Sequence, residues 1–228
     1  MRSSEKLLGE AFVSVLAALL VAPAIIFATG DFEQISQGPE SSDWEVRLSE
    51  IEKLEHKKDQ DTIDLLMKIA GTRDEYWPIK VKAIRYLGES KDLKTVDLLL
   101  TIFNETFPNG ECPSIKSYAA LALGNFRENP RVVDALLNGV NDRELLVREA
   151  SIRSLGKVGS PTAVIPLIRL LDDPSFALKL SAIKSLREIG DQQAIPYLQR
   201  IAENDTDAVV KDEAKAALDS LRQRAEYK

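Results

Sequence analysis

The chain has 228 residues, room for one ordinary domain and an added segment, and its 44% apolar, 29% charged and 6% aromatic composition suits a helix-rich folded body. A net charge of −6 repels nucleic-acid phosphate and argues against binding DNA or RNA without a strong local basic patch. With one cysteine, Cys112, and one histidine, His56, the chain has no intramolecular disulfide, no cysteine-based zinc site and no His-based acid–base pair that omits His56.

The N-terminus carries Arg2 and Lys6, and Ala11 to Ala28 then run without a charge as AFVSVLAALLVAPAIIFA. As a helix this stretch spans ~27 Å, against a hydrocarbon core of ~30 Å. Residues 1–30 are expected to form a hydrophobic signal-anchor helix crossing the membrane through residues 11–28. A cleaved signal peptide is the alternative, with small residues at Ala22-Pro23-Ala24 or Ala28-Thr29-Gly30 for the cut. Basic residues precede the segment, whereas Asp31, Glu33, Glu40, Asp43 and Glu45 follow it, which predicts a cytoplasmic N-terminus and an exported body. That places the body on the periplasmic side, anchored to the inner membrane, or soluble there or secreted after cleavage. Residues 31–43, DFEQISQGPESSD, read as a polar linker with a mean reach of ~20 Å.

From Trp44 onward the chain repeats. A leucine recurs at Leu54, Leu87, Leu123, Leu155, Leu186 and Leu218, and eight positions before each stands Val46, Ile79, Ile115, Val147, Leu178 or Val210. A basic residue follows in every case: Arg47, Lys80, Lys116, Arg148, Lys179, Lys211. Small and apolar residues four and three before the leucine complete one helical face. Gly88, Gly124 and Gly156 directly follow three of the leucines, where a helix C-terminus favours a residue tolerant of positive φ. A second apolar stripe then falls at helical spacing, as in Ile63, Leu66, Met67, Ala70 or Ala194, Tyr197, Leu198, Ile201. Pro166 and Pro196 sit in the first turn of theirs, where a missing N–H is harmless.

Each unit is thus a helical hairpin that cannot bury its apolar face alone, so neighbours must stack. The expected fold is all-α, a right-handed α-α superhelix of about five hairpins over residues 44–228, closed by a polar capping helix from Asp207 to Arg224. The fourth and fifth units, VREASIRSLGKVGSPTAVIPLIRLLDDPS and LKLSAIKSLREIGDQQAIPYLQRIAENDT, resemble HEAT repeats of the short kind found in phycobilisome-lyase-like proteins. The likeness weakens in the first unit, where Glu55 and Glu50 stand in place of glycine and the small residue. It implies scaffolding and partner binding along a concave face. It does not imply lyase activity, because the repeat is shared far more widely than that chemistry.

Asp74, Asp142, Asp173 and Asp205 precede the apolar–basic pairs by five positions and predict ion pairs at the repeat junctions with Lys80, Arg148, Lys179 and Lys211, a ladder that Arg47 begins. The third unit has Gly110 there, which singles out Lys116 as the free cation. The second helices are expected to line the concave surface, presenting Asp64 and Lys68, Asp97 and Thr101, Asp134 and Asn138, then Arg169 and Gln199 to a protein partner. The longer loop from Asn104 to Ser114 adds Phe107 to these candidates. Similarity to the HEAT-like deoxyhypusine hydroxylases stops at their paired His-Glu iron ligands, since His56 is followed by Lys57. The reading is a non-catalytic, membrane-tethered adaptor with no catalytic residue, no cofactor, no metal and no small-molecule substrate. An accessory enzyme or bilin-lyase-like attachment factor is the alternative.

Overall fold

The computed structural model describes residues 44–73, 75–105, 113–127 and 129–226. The expected anchor (1–30) and linker (31–43), together with Asp74, Phe107, Gly110 and Cys112, lie outside the described residues. The chain divides into two units, Met1–Lys53 and Leu54–Lys228. The first contributes helix α1 (Trp44–Glu52), in which Ile51 is buried and Arg47 is half-buried.

The second unit holds α2 (Gln60–Gly71), α3 (Trp77–Ser90), α4 (Val96–Asn104), α5 (Pro113–Leu123), α6 (Pro130–Gly139), α7 (Leu145–Val158), α8 (Val164–Arg169), α9 (Phe176–Ile189), α10 (Ile195–Asn204) and α11 (Ala208–Glu226). Single 3-10 turns lead into α4, α8 and α10, and there is no strand among the described residues. It is the all-α solenoid that the repeat predicts. α3, α5, α7 and α9 are the first helices of successive hairpins, α4, α6, α8 and α10 the second, and α11 the cap.

The repeat positions form the core. Ile79, Ala83, Ile84 and Leu87 of α3 are all at most 1% exposed, and Val147, Ile152 and Leu155 of α7 are fully buried. In the second helices Leu66, Leu99, Leu136, Leu167 and Leu198 fill the same place, while Tyr197 departs from its stripe and is 42% exposed. The cap turns Val210, Ala214, Ala217, Leu218 and Leu221 inward and leaves Lys215 outside, bonded to Asp212 at 3.1 Å.

Positive φ does not occur where the glycine pattern places it. The left-handed C-caps are Lys91, Gly159 and Gly190, each four residues beyond the repeat leucine. The glycine next to the leucine instead lets backbones touch. A Cβ on Gly88 would sit 2.7 Å from Ala122 Cα, one on Gly124 2.8 Å from Ser154 Oγ, and one on Gly156 2.7 Å from Ser185 Cα. The partner is always the residue just before the next leucine. Where that residue is serine, it uses the approach: Ser154 Oγ donates to Ala120 O at 2.8 Å and Ser185 Oγ to Ile152 O at 2.9 Å.

Consecutive first helices are therefore packed along their lengths, whereas consecutive second helices barely meet and pack instead on the first helix of the next unit. In a stack of hairpins the layer with the closer spacing is the inner one. Within Leu54–Lys228 the first helices form that layer. This corrects the assignment of the trough to the second helices, and the cause is the small residues on either side of the leucine.

Candidate partner-binding surface

Two hollows follow from this packing. The larger, about 1390 Å³, runs along the first helices, where Leu121, Arg153 and Lys184 stand two residues before the leucine and Lys157 and Glu188 two after it. Small residues beside the leucine bring the backbones together, so these flanking side chains must project outward. Lys157 Nζ donates to Asn125 Oδ1 at 2.7 Å, joining equivalent positions of adjacent units. Arg224 of the cap reaches back to Glu188 O at 3.4 Å and closes one end.

The smaller hollow, about 680 Å³, lies between α4 and α6 and brings together four of the expected residues, Asp97, Thr101, Asp134 and Asn138. There Arg131 Nη1 donates to Asp97 Oδ1 at 2.6 Å, an exposed pair worth about 0 to 1 kcal/mol. Thr101 Oγ1 turns to Asp97 O at 2.9 Å. Asp64, Lys68, Arg169 and Gln199 are exposed but line neither hollow. Asp64 accepts from Gln60 at 2.7 Å, and Gln199 donates to Glu203 at 3.0 Å.

The basic ladder runs forward between units rather than within a junction. Lys116, expected to be free, donates to Asp142 Oδ2 at 2.5 Å and lies 5.6 Å from the centre of the Phe103 ring. Lys179 donates to Asp205 Oδ2 at 2.7 Å in the same manner. Side chains lean towards the N-terminus of their helix, which aims a lysine in the first turn at the neighbouring turn of the next unit. Arg148 departs from the expected pairing with the Asp142 carboxylate and donates to the carbonyls of Asp142 at 2.8 Å and Arg143 at 3.1 Å. Lys80 is buried at 3% exposure, and its expected partner Asp74 lies outside the described residues.

The aspartates of the junctions have a second task. Asp142, Asp173 and Asp205 each accept the N–H two residues on, from Glu144 at 2.9 Å, Ser175 at 2.7 Å and Asp207 at 2.9 Å, and so shape the entry to the next first helix. The Lys179 ammonium and the Asp207 N–H hold the Asp205 carboxyl below the usual carboxylate range, with Lys211 adding to the effect. For Asp142, burial pushes the carboxyl up, but the Lys116 ammonium and the Glu144 N–H outweigh it and leave it lowered.

Sequence reasoning missed Arg153, Lys157, Lys184, Glu188 and Arg224. The signal for the first four is polar residues two before and two after a leucine whose immediate neighbours are small. Among the described residues no group of three His, Cys, Asp or Glu side chains could hold a metal ion. No helix among them is long and apolar enough to cross a membrane.

Three solved structures share this architecture. A chain of the complex of CpcE and CpcF of phycocyanin lyase from Nostoc sp. PCC7120 is 26% identical, with 75% of this chain and 69% of that chain covered and a TM-score of 0.59. An engineered protein is 20% identical over 85% of this chain and 97% of its own, with a TM-score of 0.56. A computationally designed armadillo repeat protein for modular peptide recognition is 16% identical over 84% and 98%, with a TM-score of 0.53. The last two speak for the fold alone. A search of curated proteins finds no match. The family model for HEAT repeats matches residues 33–110, 106–177 and 161–219, and the chain belongs to the HEAT-repeat family.

Proposed function

We propose that the chain is a non-catalytic adaptor that holds a protein partner in the hollow along its first helices, tethered to a membrane through residues 11–28. The observation that carries this reading is a long hollow lined by outward side chains of successive units, among them Arg153 and Lys184, which are exposed and have no ion-pair partner among the described residues. Apolar side chains at the first or second position of α3, α7, α9 and α11 add a further edge for contact: Trp77, Leu145, Leu146, Phe176 and Val209 are 43–58% exposed. The apolar segment AFVSVLAALLVAPAIIFA and the charge bias around it support a body on the periplasmic side of an inner membrane, with soluble release after cleavage as the alternative.

A photo-crosslinking side chain at Leu121, inside the hollow, tests the reading against the same group at exposed Lys68, which lies outside it. A one-to-one protein adduct at Leu121 alone is expected, and adducts at both positions or at neither count against it. An intact mass that retains residues 1–30 in the membrane fraction is expected for the tether; a mature chain lacking them contradicts it.

The likeness to a chain of a phycocyanin-lyase complex favours one second reading, an accessory cofactor-attachment factor. Assaying bilin transfer to an acceptor protein with His56 or Cys112 substituted separates the two. The adaptor reading expects no turnover to lose, and turnover abolished by either substitution supports attachment chemistry.

A further inference from the structure

The hollow along the first helices differs in charge from the rest of the molecule. Its lining carries Arg127, Arg153, Lys157, Lys184 and Arg224 against Asp134, Glu149 and Glu188, five cations to three carboxylates, in a chain whose net charge is −6. Some cations outside it are taken up in pairs between units, as in Lys116 with Asp142, Lys179 with Asp205, Arg187 with Glu213 and Arg200 with Asp172. What sets the hollow apart is that its cations are gathered on one surface and left for a ligand. Among the described residues Lys157 meets the neutral Asn125 amide oxygen and Arg224 a backbone carbonyl, and Arg153 and Lys184 have no ion-pair partner.

We infer that this hollow takes an acidic, extended segment of a protein partner, an inference that rests on the adaptor reading. Arg153 and Lys184 hold the same place in consecutive units, so they are separated by about the 8–10 Å between packed helix axes. A polyproline-II chain rises ~3.1 Å per residue with three residues per turn, which puts carboxylates at i and i+3 on one side ~9 Å apart. A β-strand puts same-side residues at ~7 or ~13 Å, a poorer match. Lys157, one turn from Arg153 and ~6 Å along the axis, offers a second cation to the same carboxylate. The volume of about 1390 Å³ exceeds the roughly 300–1,000 Å³ of a small-molecule cleft and suits a length of chain. Nucleic acid fits worse than an acidic peptide. Among the described residues no aromatic side chain lines the hollow to stack on bases, and Glu149 and Glu188 interrupt the path a phosphate backbone needs. For a peptide, the same two carboxylates set the register by repelling misplaced acids.

The test is fluorescence anisotropy on the full chain in mild detergent at low salt, with a labelled peptide of four Glu-Pro-Ser triplets as probe. A Lys-Pro-Ser peptide and a single-stranded oligonucleotide of matched charge serve as comparators. Binding of the Glu peptide alone is expected, weakening as salt rises. Affinity is expected to fall about tenfold or more in Arg153→Glu/Lys184→Glu, and by less in Arg153→Gln/Lys184→Gln, with the thermal transition preserved in the latter. Lys68→Glu/Arg169→Glu, the same charge change outside the hollow, is compared with the parent at about 0.15 M salt, where the screening length is about 8 Å, and is expected to stay within about twofold of it. Equal binding by the Arg153/Lys184 variants, no binding of the Glu peptide, or tighter binding of the oligonucleotide overturns the inference. If the Leu121 crosslink captures a partner while the Glu peptide fails to bind, the acidic class is wrong and the adaptor reading stands; if both fail, both fall.

Discussion

The middle of the repeat stack and its two ends use the same leucine-centred helix but close it differently. Between α3 and α9 a glycine beside the leucine meets Ala122, Ser154 or Ser185, and the first helices touch backbone to backbone. At the N-terminal end the equivalent residues are Glu55 and Tyr86, and an Arg85–Glu55 pair at 3.1 Å takes the place of the glycine contact. Burial there raises the pKa of the Tyr86 phenol, against the opposing effect of the Arg85 guanidinium beside it. At the C-terminal end Arg187 replaces the glycine and pairs with Glu213 of the cap at 2.7 Å. The recurring contacts thus set backbone against backbone beside the leucine, whereas at Glu55 and Arg187 an ion pair stands in that place.

Breaking a middle interface is expected to cost most. Leu155→Ala empties a fully buried site and should lower stability by about 2 to 5 kcal/mol in chemical denaturation. Gly156→Ala drives a methyl into the Ser185 backbone. It should cost about 1 to 3 kcal/mol despite the better helix propensity of alanine, and a stabilised variant would refute the contact. Ser185→Ala removes the bond to Ile152 O and should cost about 1 kcal/mol. At the C-terminal end Glu213→Gln should change stability by only about 0 to 1 kcal/mol, because the pair is partly exposed.

A pH titration sharpens the same contrast. Asp142 and Asp205 are depressed in the folded state, so their contribution is present above the ordinary carboxylate pKa of 3.8 and is lost as pH falls from there through the lower folded values. Lys179→Met removes the largest cause of the Asp205 depression. It should lessen the pH dependence of stability below about pH 4, read from denaturation midpoints at several pH values.

The hairpins, the buried leucines and the cap were legible because 3.6-residue periodicity and repeat spacing are local facts. Three features were not. A glycine after the leucine reads alike whether it ends a helix or admits a neighbour, and only the positions of Gly159 and Gly190 tell them apart. Lys116 reads as free when its partner is sought within its own junction, because Asp142 lies in the next one. The inner layer cannot be told from amphipathicity, since both helices of a hairpin have one wet face; it follows from which helix carries the small residues. Of the residues expected along the second helices, Asp97, Thr101, Asp134 and Asn138 lie around the smaller hollow.

Pulsed electron-spin distances in a Cys112→Ser background test the layer assignment most directly. One pair of labels goes on Leu121 and Lys184, two units apart on the first helices, and the other on Asn138 and Gln199, two units apart on the second. A first-helix distance near 20 Å, shorter than the second-helix distance, is the predicted result. A second-helix distance equal to or shorter than the first contradicts it.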